Sequence, residues 1–352
     1  MIAYLIEYGV FLAKVVTLAL AVLFVLGGLL SLLARQRDGG DGGGQLRVRH
    51  LNEELDELRD GIESVVLDDD ERKRARKQQR KDDKARAKAE KKMRGPVEEK
   101  RRARVFVLDF DGDVSASEAH PISKEISALL QVADKQDEVV LRLESPGGLV
   151  HEYGFASSQL KRIRQQGLKL TICVDRVAAS GGYMMACLGD RVLAAPFAVL
   201  GSIGVVAQIP NFHRLLKKND VDVELMTAGD YKRTLTMLGE NTDSDREKFQ
   251  QELDQTHQLF KDFVRENRRG LDIDRVATGE HWYGIQAREL GLVDEITTSD
   301  DYLLLRCRDA EVYELRWQSK PRLAERLGLA MEASLMRVSE RLLHRGLQRW
   351  RH

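Results

Sequence analysis

Three things are scarce in this 352-residue chain, and each absence narrows the reading. Net charge is one: 56 lysines and arginines stand against 56 aspartates and glutamates, so the overall balance names no partner. Cysteine is another. Cys173, Cys187 and Cys307 are an odd, sparse set with no Cys-x-x-Cys spacing, which argues against a disulfide framework or a zinc site. Cys173 and Cys187 lie in apolar runs and read as buried thiols. Aromatic side chains are missing from the basic stretch 72–104, so it makes no stacking platform for single strands, and no nucleic-acid partner is expected.

What is present is strongly segregated. Residues 10–33, VFLAKVVTLALAVLFVLGGLLSLL, are long enough to cross a hydrocarbon core of roughly 30 Å, and Lys14 lies where it can snorkel to the interface. A cleaved signal peptide fits less well, because no basic region precedes the run and no small-x-small site follows it. Arg35, Arg37, Arg47 and Arg49 follow the span, and the positive-inside rule then favours the cytoplasmic face for the rest of the chain. The segment 37–45, RDGGDGGGQ, reads as a flexible joint. Leu51, Leu55, Leu58, Ile62 and Val65 form a short stripe at helical spacing, which suits an amphipathic helix or a brief coiled coil equally. The basic neck beyond it suits a solvated, partly helical spacer, or charge contacts with anionic headgroups or nucleic-acid phosphates.

From residue 105 short apolar runs alternate with helical stretches. Strands are expected at 105–110, 138–144, 168–175, 191–208 and 221–228, with helices at 120–136 and 149–167. Repeated strand–helix–strand units predict an α/β fold with a parallel sheet and helices outside it. A charged helical region is expected over 243–270, then a turn, a helix and a closing strand over 279–296. The expected division is a membrane-spanning region 1–34, a joint and neck 35–104, a catalytic domain 105–300 and a C-terminal extension 301–352. The extension carries a basic amphipathic helix that suits a neighbour, a membrane surface or its own domain.

Ser180 lies in VDRVAASGGYMMACLGD, between a strand and a helix start, with only small residues beside it. Free backbone N–H groups at that junction would stabilise an oxyanion, the logic of a nucleophile elbow, although AASGG is not Gly-x-Ser-x-Gly. The alternative is an ordinary helix N-cap. A second glycine turn, ESPGGLV at 144–150, also follows a strand and can meet the first at the carboxyl edge of a parallel sheet. None of the eight histidines stands in an obviously catalytic setting. A lysine serves as base when burial lowers its pKa, and Lys232, in TAGDYKRTLTMLGE, is the candidate outside the charged runs.

Together, SPGG (145–148), ASGGYMMA (179–186), LGSIGV (200–205), GDYKR (229–233) and ARELGLVDEI (287–296) resemble the signal peptide peptidase A, or protease IV, family, and within it the SohB branch. The resemblance covers about 105–300 and the plan of the N-terminus. It implies a ClpP/crotonase-like fold of stacked β-β-α units and a Ser-Lys dyad, with Ser180 as nucleophile and Lys232 as general base. It further implies Ser202 orienting the lysine, and the amides of Gly147 and Gly181 as oxyanion donors. No metal or cofactor is expected. The implied partners are an unfolded or apolar peptide, such as a signal-peptide remnant, the lipid bilayer of a bacterial inner membrane, and further copies of the chain that share active sites. Two other functions stand beside it: an acyl-CoA enzyme on the same fold, and a non-catalytic membrane scaffold.

Overall fold

The computed structural model describes residues 44–74 and 102–319 apart from 230, together with the isolated positions 14, 77, 81 and 84. The chain divides into two compact units, 1–45 with 318–352 and 46–317, and nearly all of the described residues belong to the second. Apart from Lys14, the apolar run 10–33 lies outside the described residues, as do most of the neck and the basic C-terminal helix. Among the described residues no helix is long and apolar enough to cross a membrane.

In chain order, β1 (Gly44–His50) leads into α1 (Leu51–Val66), which carries the expected stripe. Leu51 packs against the core, while Leu58, Ile62 and Val65 remain exposed. Then come β2 (Arg104–Asp111), α2 (Ala119–Leu129), β3 (Glu138–Glu144), α3 (Val150–Gln165) and β4 (Lys169–Val174). They are followed by β5 (Val177–Ala179), α4 (Gly181–Ala186), β6 (Arg191–Ala194) and β7 (Val199–Gly201). The chain continues through α5 (His213–Lys218), α6 (Asp243–Asn267), α7 (Ile273–Val276), β8 (His281–Tyr283), α8 (Gly284–Glu289) and β9 (Glu295–Ile296). It closes with α9 (Ser299–Asp309) and β10 (Glu311–Ser319).

Seven strands form the main sheet in the order β1-β10-β2-β3-β4-β6-β9, and every pairing from β10 to β9 is parallel. Strands buried on both faces need apolar residues at successive positions. In β2, Phe106, Leu108 and Phe110 enter the larger core under α2, α3 and α4, while Val105 and Val107 enter a smaller one with Tyr302 and Leu303 of α9. The α/β expectation with a parallel sheet therefore holds.

Three expectations differ from the structure. The run 191–208 is two short strands, β6 and β7, separated by a turn at Pro196. Residues 221–227 form no strand, despite their alternation. The sheet also extends past residue 300, because β10 pairs with β2 from Glu311↔Arg104 to Glu314↔Val107.

β5, β7 and β8 form a second, smaller sheet. β5 and β7 run parallel, with Ala179 opposite Gly201. The end of β3 is stitched to β5: the Ser145 amide donates to Val177 O at 2.8 Å and the Ala179 amide to Ser145 O at 3.0 Å. Three strand ends, carrying Ser145, Ser180 and Ser202, thus converge.

Candidate active site

Ser180 follows β5 and stands at the N-cap position of α4, with φ 52° and ψ −118°. A positive φ is uncommon for a residue with a Cβ and is held only where neighbours over-determine it. Here the Ser180 amide donates to Gly201 O at 2.8 Å, and its carbonyl accepts from the Met184 amide at 3.0 Å. The side chain makes no capping hydrogen bond, and its hydroxyl has no partner among the described residues. An ordinary N-cap spends its oxygen on the helix; Ser180 does not.

The two glycine turns meet at this serine. A Cβ built on Gly147, whose φ is +91°, would lie 2.8 Å from both Ser180 Cβ and the Gly181 nitrogen. A Cβ on Gly148 would strike Val114 O at 2.1 Å, and one on Gly181 would strike the Tyr153 ring at 2.4 Å. Each glycine is required by a close approach.

Tyr153, fully buried on α3, supports both turns. Its ring lies against Gly181, and its hydroxyl donates to Asp113 O at 2.8 Å. Ser145 Oγ then donates to Tyr153 Oη at 2.5 Å and accepts from the Gly147 amide at 3.1 Å. Burial pushes the Tyr153 phenol above its ordinary pKa, so the group stays a donor. In the sequence it is one aromatic among the apolar residues of a helix. The one signal was its place a turn into the helix that follows SPGG.

This chain of hydrogen bonds changes the reading of the SPGG turn. The Gly147 amide is committed to Ser145 Oγ. Gly148, whose amide has no hydrogen-bond partner among the described residues, lines a cavity together with Ser180 and Gly181. The Gly147 amide, expected as an oxyanion donor, thus already has an acceptor, and the glycine also approaches Ser180 closely. Gly181 is the first residue of α4, where amides lack an intrahelical acceptor.

The cavity beside Ser180 measures about 300 Å³. Met184, one turn along α4, lines it. Thr256, Leu259, Phe260 and Phe263 form a single face of α6 along another side. The capping box Thr242/Asp245 starts α6, and His257 Nε2 lies 3.2 Å from Ile203 O, fixing the helix beside the strand exit. Among the described residues no charged side chain lines the cavity.

Ser202 leaves β7 with φ 50°, half-buried, and its amide donates to Glu280 O at 2.6 Å. Gly201, the acceptor for Ser180, immediately precedes it. Lys232 lies elsewhere: it is exposed, in an irregular segment, and is not among the residues lining the cavity. Its amide donates to Gly229 O at 3.2 Å. The burial expected of a lysine base is absent within one chain. The same segment exposes large apolar side chains, including Val206 at 91% and Met226 at 86%. Among the described residues no group of three or more His, Cys, Asp or Glu side chains could hold a metal ion. Cys173 and Cys187 are buried, and burial pushes both thiols up to about 12.

Comparison with known proteins identifies the family. Residues 3–160 match the peptidase family S49 N-terminal model, and residues 162–312 match the peptidase family S49 model. The chain is 51% identical over 337 residues to the probable protease SohB of Haemophilus influenzae, covering 95% of each. It is 54% identical over 240 residues to the probable protease SohB of Buchnera aphidicola subsp. Acyrthosiphon pisum, covering 68% of this chain and 70% of that relative.

Proposed function

The chain belongs to peptidase family S49 and is of the SohB type, and on that premise we propose that it is a membrane-anchored serine endopeptidase working through a Ser180–Lys232 dyad. The observation that carries this is the uncommitted hydroxyl of Ser180, held at positive φ beside an apolar cavity with Gly148 and Gly181. Lys232 in its neutral form takes the proton of Ser180 Oγ. The oxygen attacks the peptide carbonyl carbon, and the Gly148 and Gly181 amides hold the oxyanion. The C–N bond breaks, the amine leaves with the proton from Lys232, and water activated by the same lysine releases the acyl group. Losing one oxyanion donor costs about 10²–10³ in kcat. Ser202 orients the lysine.

A lysine acts as base only when its charged form is disfavoured, which needs desolvation. In a single chain Lys232 is exposed among exposed apolar side chains. A second copy covering this segment would desolvate it and bring it to a serine, so the proposal includes a homo-oligomer with shared active sites. The apolar run 10–33 would anchor the assembly in the bacterial inner membrane, with the charge pattern favouring the cytoplasmic face. The substrates would be unfolded or apolar peptides, signal-peptide remnants among them.

The test is cleavage of an unfolded protein by the full-length chain in detergent, comparing wild type with Ser180→Ala and Lys232→Ala. Cleavage by wild type alone supports the dyad. Equal cleavage by all three overturns it.

A further inference from the structure

Gly154 stands inside α3, one turn after Val150, where glycine is a poor choice. It gives up more backbone freedom than alanine and weakens a helix interior. Two structural reasons commonly require such a glycine, and neither applies. Its φ is not positive, and a Cβ built on it would meet no heavy atom within 4 Å. Gly148, Gly181 and Gly182 contrast with it, since each would clash with backbone or ring atoms at 2.5 Å or less. Gly61 also has open space around it, but on an exposed helix face; Gly154 is half-buried and lines the cavity beside Ser180. The space that its side chain would take belongs to that cavity.

We propose that Gly154 is the specificity-determining residue of this peptidase: its missing side chain leaves the room that admits a large apolar side chain, such as leucine, methionine or phenylalanine, at the residue preceding the scissile bond. The inference rests on the peptidase reading of Ser180. The cavity adjoins Ser180 and Gly181, so the group nearest the attacked carbonyl is the one that enters it. Phe260, Phe263 and Met184 offer it aromatic and thioether surface. With no charged partner among the described residues of the lining, a charged side chain would be desolvated without compensation and is excluded. A side chain at 154 would project from the α3 wall into the same space.

The test uses peptides identical except for alanine, leucine, phenylalanine or lysine before the scissile bond, with wild type, Gly154→Ala and Gly154→Leu in the full-length chain. Wild type is expected to favour leucine and phenylalanine over alanine by at least about tenfold in kcat/KM and to reject lysine. Gly154→Ala lowers the phenylalanine-to-alanine ratio in part, and Gly154→Leu inverts it through KM. Alanine also favours the helix, so a changed ratio in that variant does not come from unfolding. An unchanged ratio in both variants overturns the proposal, and so does equal loss of every peptide. Binding of the same peptides to the Ser180→Ala chain, with and without Gly154→Leu, reads the cavity without turnover. A phenylalanine preference that Gly154→Leu leaves intact there also overturns it. Failure of the peptidase reading shows separately, as equal cleavage by wild type and Ser180→Ala.

Discussion

Ser180 and Ser202 leave two paired strands at the same level, each with a positive φ that is uncommon for a residue with a Cβ. Ala179 pairs with Gly201, the next residues have φ of 52° and 50°, and the Ser180 amide closes on Gly201 O at 2.8 Å. A residue with a Cβ in such a conformation costs on the order of 1–3 kcal/mol. The surrounding hydrogen bonds hold that strain where the proposed chemistry needs it.

That strain predicts an inverted stability order at position 180. Ser180→Ala keeps the Cβ and the strain, whereas Ser180→Gly removes both. Both variants should be inactive, but Ser180→Gly should be the more stable by about 1 kcal/mol. Denaturant unfolding of the two proteins checks this; an alanine variant as stable as the glycine one would mean the conformation is unstrained.

Tyr153→Phe removes the hydroxyl that links Ser145 to Asp113. Buried polar groups left without partners cost about 1–3 kcal/mol each. The ring that supports Gly181 stays, but the SPGG turn loses its anchor. We expect a lower Tm and a kcat reduced more than KM is raised. A variant with wild-type kinetics would show that this network does not hold the turn.

Lys232→Ala should abolish cleavage without dissociating the proposed oligomer, because the apolar side chains around it remain. Mixed oligomers refolded from Ser180→Ala and Lys232→Ala chains should recover part of the activity, since some interfaces then join an intact serine to an intact lysine. Activity assays on purified mixed oligomers decide it; no recovery at any ratio would mean the dyad forms within one chain.

Glu125 supplies a pH dependence. It is buried on α2, accepts the Trp317 amide at 2.6 Å, and has one carboxylate oxygen without a partner among the described residues. Burial pushes its pKa up to about 7, with Glu118 and Asp109 nearby adding to the rise and Arg316 opposing it. The folded state therefore binds this proton more tightly than the unfolded one. Its contribution to stability is complete below the ordinary glutamate pKa and is lost as pH rises towards about 7, by on the order of 3 kcal/mol. Glu125→Gln should flatten that part of the stability–pH curve. Unfolding of both proteins between pH 4.5 and 7.5 checks it, and parallel curves would refute the assignment.

The central strands were legible because strands buried on both faces are written as continuous apolar runs, as in VFVLDF and EVVLRLE. Ser180 and SPGG were legible because glycine and proline punctuate the chain where it turns. The choice between Gly147 and Gly148 was not, since only the placement of Ser145 Oγ decides which amide is committed. The segment 221–227 alternates like a strand, but a strand needs a partner for its ladder, and none of the described strands pairs with it. Lys232 failed the burial expectation because it lies exposed in an irregular segment whose large apolar side chains, Tyr231 and Met226 among them, are also exposed. β10 was overlooked because its mixed polar alternation, EVYELRWQS, reads as an edge, although it pairs parallel to β2 inside the sheet.

The support of Ser180 reaches far downstream. Its acceptor Gly201 packs against the Trp282 ring, and Ser202 is tied to Glu280 O. A chain emerging from the ribosome therefore carries its serine long before it carries the residues that give the serine its posture. Until β7 and then β8 have been added, the hydrogen bond to Gly201 O and the Trp282 packing behind it are missing from the support of Ser180. A serine peptidase of the kind proposed would thus complete the support of its nucleophile only late in its own synthesis.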